Sequence, residues 1–158
     1  MKRYLLLAVL PVILLFGCAQ ENDPVQVVRD YYRAMETEDV KLYMSTVSGP
    51  RADAAGDYLE KYFTNYDVQY TIDTIGLLSK IGNEAQVLSI VTARDAGGPK
   101  KFTNNRVTVL NFLRKHNNSW TIYDSEVSNL IKLDADGNPI VPEAPKDSLL
   151  WKSTLPTG

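Results

Sequence analysis

The sequence has little of what disulfides, histidine metal sites and nucleic-acid interfaces require. Its 158 residues include one cysteine, Cys18, and one histidine, His116. A disulfide within the chain is therefore excluded, as is a metal site built on several histidines, and we predict neither a metal nor a cofactor. The 17 basic residues do not exceed the 19 acidic ones, so the formal net charge is −2 and nucleic acid is disfavoured as a partner.

Long hydrophobic runs are scarce as well. The run at the N-terminus spans residues 4–16, and its thirteen residues fall short of the roughly 20 that a membrane-spanning helix needs. The two residues before it, Lys2 and Arg3, are positively charged. A short apolar run behind a positive start is typical of a secretory signal peptide, which we predict over residues 1–17.

The run ends in Leu15-Phe16-Gly17-Cys18, which resembles the lipobox of bacterial lipoproteins. The resemblance implies that cleavage follows Gly17 and that the Cys18 thiol receives a diacylglyceryl group, with fatty acyl chains such as palmitate. Residues 18–22 then form a short lipidated linker. We expect the protein to be extracytoplasmic and lipid-anchored to the bacterial cell membrane, although an ordinary signal peptide followed by an incidental cysteine is the alternative. The chain without residues 1–17 has 15 basic and 19 acidic residues, a formal charge of −4.

Replacing Cys18 with serine tests the lipid attachment. Serine offers no thiol for the thioether, and two acyl chains are what make such an anchor stable. We expect Cys18→Ser to abolish incorporation of a labelled fatty acid and to release the protein from membranes, as measured by metabolic labelling and membrane fractionation. Retention on the membrane at the wild-type level would contradict the prediction.

The residue pattern predicts three helices before any strand. Asp23 is a favourable N-cap, and Pro24 suits the first helical position. Apolar side chains then recur at helical spacing at Val25, Val28, Tyr31, Tyr32 and Met35. The polar break at 37–39 starts a second predicted helix, which runs to Val47, and a third is predicted over residues 51–63.

Four antiparallel strands are predicted to follow as a meander. The first two cover residues 68–75 and 85–94, and the last two are the arms of a hairpin over residues 106–127. Asn117-Asn118 is a two-residue turn of the kind that tolerates positive φ, so we expect His116 to face Ser119. Both faces of this hairpin keep large apolar side chains, which predicts that both sides of the sheet are covered.

The C-terminal part has a different composition. Residues 134–158 hold four of the eight prolines, so we predict a tail and not a second domain. The tail carries one apolar cluster, Leu149-Leu150-Trp151, which we expect to dock on the outer face of the sheet. The folded domain is accordingly predicted to span residues 23–133.

Three helices followed by a curved meander is the order of the nuclear transport factor 2-like (NTF2-like) superfamily. The stretch VVRDYYRAMETEDVKLYMSTV, which ends at Val47, resembles the first two helices of that superfamily, and residues 119–124 are similar to its final strand. The resemblance extends from Asp23 to about Val127 and is strongest to uncharacterised small lipoproteins. It implies an α+β fold: a cone in which three N-terminal helices pack on a curved four-stranded antiparallel sheet. Members include ketosteroid isomerase-like and dehydratase-like enzymes as well as binding and assembly modules.

The candidate site follows from the hairpin and this resemblance. The resemblance implies that Trp120 points into the cone, and the hairpin register then places Asn111 opposite Asp124 on the same inner wall. Asp124 is the candidate general base or hydrogen-bonding anchor for a ligand, with Asn111 orienting it. The alternative is that the two residues satisfy each other for stability alone. Tyr31 and Tyr32 either add a phenol to this pocket or belong to the core.

The predicted function is a non-catalytic, membrane-anchored lipoprotein module that binds a small apolar ligand or an envelope protein. One alternative is an isomerase or dehydratase-like enzyme acting on a small molecule. The other is an assembly module that forms a homodimer through the outer sheet face, with Leu110, Phe112, Tyr123 and Val127 at the interface. The predicted partners are thus the membrane through the lipid anchor, a ligand or envelope protein, and a second copy of the chain.

Overall fold

The computed structural model describes residues 23–141. Four helices come first: α1 (Pro24–Glu36), α2 (Val40–Thr46), α3 (Pro50–Asp53) and α4 (Ala55–Asn65). The first two confirm the predicted helices, and the third predicted helix is divided at Ala54 into α3 and α4. The predicted signal peptide, the lipidated Cys18 and the tail cluster at 149–151 lie outside the described residues. The predicted domain boundaries, that at Leu133 included, stay predictions.

Side-chain caps explain where the first two helices begin. The Oδ1 atom of Asp23 accepts a hydrogen bond from the backbone N–H of Val25 at 2.8 Å, and that of Asp39 accepts one from Leu42 at 2.9 Å. Each bond satisfies a donor that a helix N-terminus leaves unpaired. The chain then enters α3 through Gly49, whose φ of +58° suits a residue without a Cβ atom.

Four strands form one antiparallel sheet in sequence order: β1 (Val68–Ile81), β2 (Glu84–Asp95), β3 (Asn105–His116) and β4 (Ser119–Lys132). This confirms the predicted meander, although β1 continues past the predicted end through register shifts near Asp73 and Leu78. Asn117 and Asn118 have φ of 48° and 68°, and His116 pairs with Ser119 as predicted. The central hairpin therefore has the expected turn.

The helices pack against one face of the sheet. The main core cluster joins α1 to the inner sheet face through Val27, Val28, Tyr32, Ala85, Val87, Val91, Leu113, Trp120 and Ile122. A second cluster joins α1, α2 and α4 through Ala34, Met35, Tyr43, Val47, Ala55 and Leu59. On the opposite face Leu110 and Phe112 are half-buried. No element within residues 23–141 packs over that face. The prediction that both faces of the sheet are covered is therefore confirmed for the inner face alone.

The β3–β4 ladder changes register partway along the hairpin. Leu113 pairs with Ile122, but the next residue of β3, Phe112, pairs with Asp124. Tyr123 is thus an extra residue in β4, a β-bulge that moves the pairing of Asp124 to Val127 by one position, and a second register shift at Ser128 moves the pairing again. Val127 consequently pairs with Val109, whose side chain belongs to the inner face, and not with the outer residues where the sequence placed it.

None of the helices within residues 23–141 has the length and apolar character needed to cross a membrane.

Candidate functional site

A cavity of about 630 Å³ lies between the helices and the β3–β4 hairpin. Its polar and aromatic lining consists of four tyrosines, two arginines and one aspartate: Tyr31, Tyr43, Tyr58, Tyr123, Arg51, Arg114 and Asp124. Pockets of about 300–1,000 Å³ with apolar walls and a few polar groups are typical of small-molecule sites. The cavity is therefore the candidate functional site of the described chain.

The connection between α2 and α3 runs along the edge of β4 and sets one wall of the cavity. Val47 forms a parallel bridge with Ile122, and the Ser48 backbone N–H donates to the Ile122 carbonyl at 3.0 Å. The Thr121 hydroxyl donates to the Ser48 hydroxyl at 2.8 Å. These contacts hold the start of α3, and with it Arg51, beside the inner part of β4.

Behind the cavity wall, a chain of buried polar side chains crosses the sheet. Asn111 is 1% exposed, and its Nδ2 atom donates to the Ser89 hydroxyl at 3.2 Å and to the Val87 carbonyl at 3.3 Å. Its Oδ1 atom accepts a hydrogen bond from Ser125 at 3.1 Å. Ser89 also lies 3.3 Å from the Tyr32 hydroxyl. Both ends of the Asn111 amide are thereby paired, as buried polar groups require.

Arg51 and Tyr31 form the polar part of the cavity wall. The Arg51 guanidinium donates to the Ser125 hydroxyl and, at 3.4 Å, to the Tyr31 hydroxyl. Its central carbon lies 5.5 Å from the centre of the Tyr31 ring, within cation–π range. Burial raises the pKa of Tyr31 and outweighs the lowering effect of Arg51. The phenol therefore stays protonated at neutral pH and keeps its hydrogen available for donation.

The predicted Asn111–Asp124 pair is wrong. The bulge at Tyr123 brings Ser125, and not Asp124, opposite Asn111. Asp124 is exposed at the cavity rim, where its Oδ1 atom accepts a hydrogen bond from the Ser125 backbone N–H at 2.8 Å. Its assignment as general base or ligand anchor stays a prediction. That assignment was based on a carboxylate that faces inward among apolar neighbours, whereas Asp124 is exposed.

The other predicted site residues separate into cavity and core. Tyr31 lines the cavity, whereas Tyr32 belongs to the core cluster and to the buried polar chain. Trp120 points inward as the resemblance implied and is fully buried in the core. The ligand-binding role proposed for these residues remains untested.

Sequence reasoning missed Arg51 and Ser125, the two residues that connect α3 to the polar chain. The Gly49-Pro50 turn indicated only that a new helix begins before Arg51. Nothing in the local sequence pairs an arginine there with a serine of β4. Ser125 could have been found only by locating the bulge, because one extra residue decides which side chains of a strand face inward.

Within residues 23–141, no three or more His, Cys, Asp or Glu side chains are grouped in a way that could hold a metal ion.

Residues 26–133 match the protein family described as the anti-sigma-I factor RsgI9, C-terminal domain. The chain is also 35% identical over 101 residues to the anti-sigma-I factor RsgI9 of Acetivibrio thermocellus. That alignment covers 63% of this chain and 14% of the relative. The chain thus spans about one seventh of the length of that relative.

Solved structures show the same fold. A ketosteroid isomerase-like protein from Erwinia carotovora atroseptica superposes with a TM-score of 0.50 at 19% identity, covering 70% of this chain and 98% of that one. A protein of unknown function with a cystatin-like fold from Nostoc punctiforme gives 0.53 at 12% identity, covering 65% and 84%. The predicted α+β, cone-shaped NTF2-like fold is confirmed. Identities this low bear on the fold alone.

The family match corrects the function predicted from the sequence. A membrane-anchored lipoprotein module for a small apolar ligand or an envelope protein is wrong, because the matching family and the relative are those of an anti-sigma factor. The same finding overturns the enzyme and homodimer alternatives and the predicted partners, the lipid anchor included. With the match extending over residues 26–133, the chain belongs to the family of RsgI9 C-terminal domains.

Proposed function

We propose that this chain is a regulatory domain that takes part in the control of an alternative sigma factor. The observation that carries the proposal is the 35% identity over 101 residues to a protein named as an anti-sigma-I factor. The family match begins in the first turn of α1 and ends just after β4, at residue 133. It therefore includes every element that builds the cavity, which supports a shared task for the whole domain.

The proposal concerns control of the sigma factor and not a complete anti-sigma protein. This chain corresponds to 14% of the relative, and that part is described as its C-terminal domain. A domain of this kind acts on a regulator by changing which of its states is favoured, which requires a different affinity for the two states.

The location that we propose is extracytoplasmic, at the bacterial cell membrane. It is supported by the positive start and apolar run of residues 1–17. In that location the domain reaches a cytoplasmic sigma factor only through a protein segment that crosses the membrane. Fractionation of the wild-type chain tests the location separately from the function.

The function is tested with a transcription reporter that depends on a sigma-I factor, in the bacterium that carries this chain. Because a domain that favours one state of an anti-sigma regulator changes the activity of the sigma factor, we expect deletion of the chain to change the reporter several-fold and its return to restore the original level. A reporter driven by the housekeeping sigma factor is the control and should not change. Equal activity of the sigma-I reporter with and without the chain would refute the proposal.

A further inference from the structure

The Arg51 guanidinium forms no ion pair with a carboxylate among residues 23–141. Both hydrogen-bond partners of its guanidinium are neutral hydroxyls, those of Ser125 and Tyr31. Other arginines of the described chain do form ion pairs, as Arg33 does with Asp30, Arg106 with Asp73 and Arg114 with Glu84. A partly buried charge is normally paired, so an uncompensated guanidinium in a cavity wall favours an anion inside that cavity.

The buried polar chain fixes the direction of this guanidinium. Ser125 donates its own hydrogen to Asn111 at 3.1 Å, so its oxygen is left to accept from Arg51. Asn111 is held in turn by Ser89 and by the Val87 carbonyl. Each donor therefore has a defined acceptor, and the guanidinium is oriented before a ligand arrives. Such preorganisation reduces the conformational entropy that the protein loses on binding a ligand.

Tyr31 supplies a second donor beside the first. Its oxygen accepts from Arg51, and its hydrogen remains free to donate into the cavity. Because burial raises its pKa, the phenol keeps that hydrogen at neutral pH. The rings of Tyr43 and Tyr58 complete the same wall and offer apolar surface to a planar group.

The remaining charges of the cavity indicate that the anion carries a single negative charge. Arg114 is already engaged, since its Nε atom lies 3.3 Å from a Glu84 carboxylate oxygen and its guanidinium stacks 4.0 Å from the centre of the Tyr123 ring. Asp124 at the rim repels further negative charge. A phosphate monoester, close to a dianion at neutral pH, is less well matched to a single guanidinium than a carboxylate is.

We propose that the cavity binds a small aromatic carboxylate, with the Arg51 guanidinium and the Tyr31 hydroxyl on its carboxylate group and the tyrosine rings on its planar body. This is an anion site, unlike the apolar-ligand pocket expected from the sequence. The proposed site is independent of the control of a sigma factor, because it is tested by measuring ligand affinity.

The test is a calorimetric titration of the full chain with 2-naphthoate, 2-naphthamide and 2-naphthyl phosphate. We expect saturable binding of 2-naphthoate and binding of the neutral amide at least tenfold weaker. Arg51→Gln should weaken 2-naphthoate at least tenfold. The matched control is Arg33→Gln, which removes the same charge from an exposed arginine paired with Asp30 on α1, and its affinity should stay within twofold of the wild type.

Three results would overturn the proposal: no saturable binding of 2-naphthoate to the wild type, equal binding of acid and amide, or an unchanged affinity in Arg51→Gln. Tighter binding of 2-naphthyl phosphate than of 2-naphthoate would overturn the choice of a carboxylate. Arg51→Lys serves if Arg51→Gln does not fold, since lysine keeps the charge but loses the planar fork that pairs with a carboxylate. Its affinity should still fall severalfold, and a wild-type affinity would count against the site.

Discussion

Replacing Trp120 with alanine is expected to lower the free energy of unfolding by about 3–5 kcal/mol, the usual range for deleting a buried tryptophan. Trp120 is 0% exposed and packs in the main core cluster with Val28, Leu113 and Ile122. The small alanine side chain leaves a cavity that the surrounding sheet and helix cannot fully close. Domains of this size have free energies of unfolding of about 5–15 kcal/mol, so the substitution removes a large part of the stability.

Urea unfolding followed by far-ultraviolet circular dichroism measures this effect. Val127→Ala is the control, because Val127 lies in the same strand but is 57% exposed, and it should stay within about 0.5 kcal/mol of the wild type. A loss below about 1.5 kcal/mol for Trp120→Ala would mean that the core repacks around the gap.

The second large effect is expected for Asn111→Leu. Leucine has a similar volume but cannot hydrogen-bond, so Ser125 loses its acceptor, and Ser89 and the Val87 carbonyl lose a donor. Each buried polar group left without a partner costs about 1–3 kcal/mol. Since Ser89 keeps the Tyr32 hydroxyl and Ser125 keeps Arg51, we expect a total loss of about 2–4 kcal/mol.

The same urea titration applies, with Asn129→Leu as the matched control. Asn129→Leu makes the same chemical change at an exposed position of β4, where the free energy of unfolding should change by no more than about 0.5 kcal/mol. If Asn111→Leu proved as stable as the wild type, the polar chain would contribute nothing to the stability of the fold.

Local signals in the sequence were enough to predict most elements of the fold. Asp23, Asp39 and Asn117-Asn118 act through hydrogen bonds or backbone angles within a few residues, so their effects can be read from neighbouring positions. The division of the third helix at Ala54 has no such signal. The segment from Arg51 to Ala55 contains neither proline nor glycine, and α3 is set apart by its contacts with β4.

The candidate site was harder to predict because it depends on register. The alternation of side chains in β4 placed Asp124 inside, and the bulge at Tyr123 reversed that assignment for residues 124–127. Tyr31 could be identified as a candidate, since helical spacing fixes which face of α1 it occupies. Arg51 could not, because its importance comes from Ser125 and Tyr31, which are distant in the sequence. The regulatory family was equally out of reach, since one fold supports many functions.

The sequence separation of the contacts that close the cavity indicates when the cavity forms during folding. Ser48 and Thr121 are 73 positions apart, and Arg51 and Ser125 are 74 apart, whereas each hairpin of the sheet joins neighbouring strands. Closing a loop becomes more costly as it lengthens, so short-range hairpins are favoured earlier than these distant contacts. The anion site is therefore completed only when the last strand has paired, and a chain that stops folding before that stage has a partial sheet but no cavity.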